Sequence, residues 1–302
     1  MKRTVLLLLS LAVSAPATAQ TAPPKPAVKP APVVKYGDNA SAGRTFVHDG
    51  VRLYFEVYGT GEPFLLVHGN GGSIADMRGQ IAHFRRRYQV IAMDSRDQGK
   101  SADSPDKITY EKMTDDLAAL IDHLKLGPVN VLGWSDGGIE ALLLGIRHPQ
   151  KVKKIVAMAA NLNPSDQAIH PEALALVKSM VQAIPAEARQ TPQGRRELKV
   201  TDLMLGEPHI ELKALAAITA PTLVIAGDHD MIRDEHTVAI YQQIPNSQLA
   251  ILPNATHMVP YDDPAAFNAI VERFLRTTFV KKDRIGDTMK SFEKMRTPPP
   301  AK

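Results

Sequence analysis

Short, unbroken apolar runs recur along the chain, and the stretches between them place apolar side chains at helical spacing. The runs include Phe64-Leu65-Leu66-Val67, Val90-Ile91-Ala92-Met93, Val131-Leu132, Lys154-Ile155-Val156-Ala157-Met158-Ala159, Pro221-Thr222-Leu223-Val224-Ile225-Ala226 and Gln248-Leu249-Ala250-Ile251-Leu252. A strand that is apolar on consecutive residues is buried on both faces, as in a parallel sheet covered by helices. The intervening amphipathic patterns predict helices near 73–88, 110–126, 136–148, 234–244 and 263–276. Strand and helix alternate as a doubly wound α/β sheet requires. After Ala159 the alternation stops: residues 164–213 carry helical patterns such as Pro171-Glu172-Ala173-Leu174-Ala175-Leu176-Val177 and no strand.

Both ends depart from this pattern. Met1-Lys2-Arg3, the apolar Val5–Leu9 run and Ala17-Thr18-Ala19 have the charged start, short apolar segment and small-residue cleavage site of a secretory signal peptide spanning 1–19. The run is short for a bilayer span, so cleavage near Gln20 and release to a bacterial periplasm or the exterior are expected, with no transmembrane anchor. Residues 20–43, with Pro23, Pro24, Pro26, Pro30 and Pro32, read as an extended linker. Residues 277–302 read as a basic tail ending Pro298-Pro299-Pro300.

Of 302 residues, 44% are hydrophobic and none is Cys, so the chain can build one large core at 44–276 and needs no disulfide in an oxidising compartment. The formal charge of +4 is carried by the ends. Residues 1–35 contribute five positive charges and 277–302 a net four, which leaves the body near −5. That body offers no basic patch for nucleic acid. No His-Glu-x-x-His occurs, so no metal site is expected, and no cofactor is implied.

The chemistry concentrates in Gly133-Trp134-Ser135-Asp136-Gly137, which follows an apolar strand and opens a helix. A serine on such a strained turn has its Oγ exposed at the carboxyl edge of the sheet, where it can attack an acyl carbon; a Cβ at either glycine would collide with neighbouring backbone. Downstream, Gly227-Asp228-His229-Asp230 leaves one strand and Pro253-Asn254-Ala255-Thr256-His257 leaves the next. Nucleophile, acid and base thus stand in the order Ser, Asp, His, with His257 placed to take the Ser135 proton and return it to the leaving group.

These segments resemble the α/β-hydrolase superfamily over roughly residues 44–276. The resemblance implies a mostly parallel, eight-stranded sheet flanked by helices, with 164–213 a short helical lid after the sixth strand. It selects Asp230 as the acid, in a Gly-x-x-Asp loop, and leaves Asp228 as a loop cap. It likens His68-Gly69-Asn70 to the family's oxyanion loop, the backbone N–H groups of Asn70 and Asp136 facing the developing oxyanion, and His68 holding the loop. Asp94-Ser95-Arg96-Asp97-Gln98-Gly99-Lys100-Ser101 resembles a family signature with Asp97 where Gly is usual.

The elbow is most similar to that of the biphenyl-hydrolase-like proteins. This implies that Asp136, beside Trp134, meets the α-amino group of an aminoacyl ester; the alternative is that Asp136 serves the helix N-terminus. His229 and His236 read as surface or helix-edge residues. The expected activity is hydrolysis of a small carboxylic ester by a secreted monomer or dimer. Alternatives on the same fold are a proline-iminopeptidase-like aminopeptidase, a lactonase and a cofactor-free haloperoxidase or perhydrolase. A non-catalytic binding protein would have no need of Ser135, Asp230 and His257 together.

Overall fold

The computed structural model describes residues 34–296, and residues 35–296 belong to one compact unit. The expected signal peptide, residues 20–33 and the last six residues lie outside the described part.

Eight strands make one sheet: β1 (Gly43–His48), β2 (Val51–Tyr58), β3 (Glu62–Val67), β4 (Tyr88–Met93), β5 (Val129–Trp134), β6 (Val152–Met158), β7 (Thr222–His229) and β8 (Ser247–Thr256). Their spatial order is β1-β2-β4-β3-β5-β6-β7-β8. β2 pairs antiparallel with both β1 and β4, and every other pairing is parallel. The helices are α1 (Arg78–Phe84), α2 (Tyr110–His123), α3 (Asp136–Arg147), α4 (Pro171–Ala183), α5 (Pro192–Gly206), α6 (Asp234–Gln243), α7 (Val259–Asp262), α8 (Pro264–Arg276) and α9 (Gly286–Arg296).

Every residue of β5 is buried, as its apolar run requires of a central strand with helices on both faces. α3 packs along it with Ile139, Leu142, Leu143 and Leu144 buried. Each such side chain contributes about 1.5–3 kcal/mol on leaving water.

Three departures from the sequence reading have local causes. Residues 36–43, expected as linker, are built into the domain. The Gly37 and Asn39 amides donate to the buried Glu56 carboxylate at 2.8 and 3.0 Å, and the Tyr36 ring meets Tyr58 edge-on at 5.0 Å. A second cause is turn chemistry: Asp49 and Gly50 both take left-handed backbone (φ 46° and 72°), the conformation of a tight two-residue hairpin, and so join β1 to β2. Finally, the tail is not featureless, because 286–296 form the helix α9.

β7 and β8 also run further than their apolar cores suggest. Past an irregularity at Gly227, His229 still pairs with Thr256. A Cβ on Gly227 would lie 2.1 Å from the Ala255 carbonyl oxygen, so the close approach of the two strands there requires glycine. The extension carries the loops holding Asp230 and His257 side by side to the carboxyl edge of the sheet.

Candidate active site

Ser135 sits between β5 and α3 with φ 58° and ψ −116°, a strained conformation for a residue with a Cβ. The flanking glycines explain how the turn closes. A Cβ on Gly133 would lie 1.8 Å from the Gly137 carbonyl oxygen, and one on Gly137 would lie 2.4 Å from that of Val67. The Ser135 amide donates to Met158 at the end of β6, which ties the turn to the sheet.

The three residues read from sequence as nucleophile, acid and base are brought together. Ser135 Oγ lies 2.9 Å from His257 Nε2, and His257 Nδ1 lies 2.7 Å from Asp230 Oδ1. His257 and Asp230 are buried, while Ser135 is only half-buried and open to attack a ligand. Asp230 is oriented by the Ile232 amide, which donates to Oδ1 at 3.1 Å. Asp228 faces the other way. The His229 ring beside it, followed by the Ala255 and Asn254 amides that donate to its oxygens at 3.0 and 2.9 Å, holds its carboxyl below the usual range. Asp228 caps the β8 loop, as its place in the turn suggested.

His68-Gly69-Asn70 passes directly beside the nucleophile, with a Cβ on Gly69 only 3.2 Å from that of Ser135. The Ser95 amide donates to His68 Nε2 at 3.1 Å, so Nδ1 carries the proton and donates to the Gly69 carbonyl at 2.7 Å. His68 therefore holds this loop against the β4 loop. The backbone amides of Asn70 and Asp136 find no acceptor among the described residues.

The Asp136 carboxylate is buried and turned inward. Tyr110 Oη donates to Oδ1 at 2.8 Å, and Asn70 Nδ2 donates to Oδ2 at 2.8 Å. Burial raises its pKa, against the two hydrogen bonds. One turn along α3, Glu140 is fully buried with no hydrogen-bond partner for either oxygen among the described residues, and burial, with Asp136 nearby, raises its pKa well above the usual carboxylate range. The Asp136 carboxylate, expected to face a substrate ammonium, is thus turned toward Asn70 and Tyr110, each of its oxygens accepting from a protein group. Trp134 is likewise buried, and its indole N–H donates to the His257 carbonyl at 2.9 Å, so it fixes the base loop.

Several contacts around the site escaped the sequence reading. Lys199 of α5 reaches Asp97 Oδ1 at 2.8 Å and the Ser104 carbonyl at 2.6 Å, while Asn70 Nδ2 also donates to the Val200 carbonyl at 2.8 Å. Asp97 takes left-handed backbone (φ 62°) where glycine is usual, and its carboxylate is buried against Ser104 and Lys199. His236, expected at a helix edge, accepts from the Leu162 amide at 3.0 Å where the chain leaves β6 for the insertion, and burial lowers its pKa to about 4. Only the unusual Asp97 carried a signal in the sequence.

Sheet order and strand-end chemistry together define an α/β hydrolase, and comparison with known proteins agrees. The family described as alpha/beta hydrolase fold matches residues 62–204. The serine hydrolase BPHL of Mus musculus is 28% identical over 267 residues, covering 81% of this chain and 90% of its own. The sn-1-specific diacylglycerol lipase ABHD11 of Mus musculus is 28% identical over 252 residues, covering 70% and 80%. A thermophilic esterase from Thermogutta terrifontis superposes with a TM-score of 0.62 at 26% identity, covering 77% of this chain and 96% of that one. The chain has the α/β-hydrolase fold, it is a hydrolase, and biphenyl-hydrolase-like proteins are among those it is similar to.

Proposed function

We propose that this hydrolase cleaves a small carboxylic ester through an acyl-enzyme on Ser135, and that it does so after export and removal of a signal peptide. The observation that carries the reading is the chain of two short contacts from Ser135 Oγ through His257 to Asp230. Ser135 attacks the ester carbonyl while His257 Nε2 takes its proton. The imidazolium that forms is steadied by Asp230 across Nδ1. The negative charge moves onto the carbonyl oxygen, toward the free amides of Asn70 and Asp136. Collapse expels the alcohol, which takes the proton from His257. Water, deprotonated by His257, then attacks the acyl group, and the acid product leaves with Ser135 restored.

Relatives named as a serine hydrolase, a lipase and an esterase support an ester substrate. An aminoacyl ester is not favoured, because the Asp136 carboxylate is buried and each of its oxygens already accepts from a protein group. The test is labelling of the purified protein with a fluorophosphonate, followed by a panel of simple acyl and aminoacyl esters. Labelling should fall on Ser135 and vanish in Ser135→Ala, with simple acyl esters the better substrates. Undiminished esterase activity in Ser135→Ala would overturn the reading.

A further inference from the structure

Beyond the hydrolytic site, the chain carries a surface that this chemistry does not use. Helix α9 lies wholly outside the core, with no buried residue along its length. Met289, Phe292 and Met295, with Ile285 just ahead of the first turn, are at least half exposed, Ile285 and Met295 most of all at 74% and 81%. At about 100° per residue these four side chains fall on one stripe of the helix. Lys290 and Lys294 occupy the opposite side, and Arg296 closes the last turn. Lys281, Lys282 and Arg284 lead into the helix, so residues 277–296 carry six basic and three acidic side chains.

We propose that α9 is an interfacial helix that docks the enzyme on an anionic lipid bilayer. Its apolar stripe sinks among the acyl chains, and its lysines and arginines meet the lipid phosphates. Charge complementarity picks this occupant. The body, at a net charge near −5, is available to the basic tail within the same molecule, yet the apolar face stays uncovered. An acidic protein surface alone therefore does not satisfy it. What the helix matches is negative charge bordering an apolar layer, which is the edge of an anionic bilayer. The acidic body is repelled by such a surface, so attachment depends on the tail. At 11 residues α9 is roughly 16 Å long, and among the described residues no helix is long and apolar enough to cross a membrane; the helix lies along the surface.

The experiment is flotation of a chain beginning at Gln20, which keeps the compact unit from Lys35 onward and lacks the Val5–Leu9 run that would itself enter lipid. Vesicles of equimolar phosphatidylglycerol and phosphatidylethanolamine are compared with vesicles of phosphatidylcholine alone. Binding to the first and not the second is expected, weakening as salt rises. Each of K290Q and K294Q should lower the partition coefficient about fivefold, and M289S with F292S should abolish flotation. Because these positions are exposed, all variants should keep the parent melting temperature. Equal binding to both vesicle types, undiminished binding in M289S with F292S, or self-association through this face in the absence of lipid would overturn the proposal.

Discussion

The floor and the roof of the site are built on different principles. The floor consists of the loops leaving β3, β5, β7 and β8, held by backbone contacts so close that glycine is required at residues 133, 137 and 227. The roof, residues 164–213, buries little: Ala173 alone in α4, and a short stretch of α5 that includes Val200 and Leu203. It is fastened by side chains, through Lys199 to Asp97, Arg196 to Asp103, Asn70 to Val200 and His236 to Leu162, and by a backbone bridge of Ile169 with Ile232. A floor set by backbone packing fixes reacting atoms to fractions of an ångström. A roof tied by a few polar contacts can shift without disturbing them. Changes to the floor should therefore cost turnover or folding, and changes to the roof should act on substrate binding.

The largest effect expected is at the acid. Asp230→Asn leaves His257 in the wrong tautomer and should lower kcat by about four orders of magnitude. Asp228→Asn, two residues away, weakens only a loop cap and should cost less than about tenfold, as steady-state kinetics on one ester would show. Equal losses would erase the distinction between the two carboxylates. Next comes Gly137→Ala, whose new methyl meets the Val67 carbonyl; it should destabilise the fold by roughly 3–5 kcal/mol in a urea titration, or prevent folding.

His236 tests the root of the roof. Its pKa is near 4 in the folded protein against 6.5 for a free histidine, so the unfolded chain binds the extra proton first. The stability this neutral histidine contributes is complete above about pH 6.5 and is lost as pH falls toward 4, on the order of 2 kcal/mol for a partly solvated group. Thermal melts of His236→Asn should show a shallower decline across that window than the parent. The smallest effects belong to the outer ties. Lys199→Ala should cost about 1–2 kcal/mol and raise KM with little change in kcat, while the exposed Arg196→Ala should cost under about 0.5 kcal/mol. A kcat loss in Lys199→Ala as deep as that of Asp230→Asn would show that roof and floor are one unit.

The same contrast explains what could be read from sequence. Ser135 and His257 were legible because each follows an apolar strand, whose end decides where the side chain goes, while the choice of Asp230 over Asp228 in the same strand-end loop came from the family resemblance. The sheet was legible where its strands are buried on both faces. The hairpin of β1 and β2 was not, since its exposed positions interrupt the apolar run. Asp136 and Trp134 were legible as elbow residues, but the protein groups they bond were not. Their partners, Tyr110, Asn70 and the His257 carbonyl, lie from 26 to 123 residues away, and only tertiary packing brings them close. Lys199 was invisible for the same reason: one lysine on a polar helix carries no mark of its aspartate.

Glu56 has a consequence for how far the chain can be shortened. Its buried carboxylate is saturated by two tyrosine hydroxyls, Tyr54 at 2.7 Å and Tyr58 at 2.6 Å, and by the amides of Gly37 and Asn39. A chain that begins at Tyr36 keeps all four donors. One that begins at Ser41 strips two amides from an anion sealed beneath the sheet edge, and the loss should approach about 3 kcal/mol although no residue of the sheet has been removed. The shortest stable form of this enzyme is thus set by one interior carboxylate of β2, whose amide donors Gly37 and Asn39 stand ahead of the first residue of the sheet.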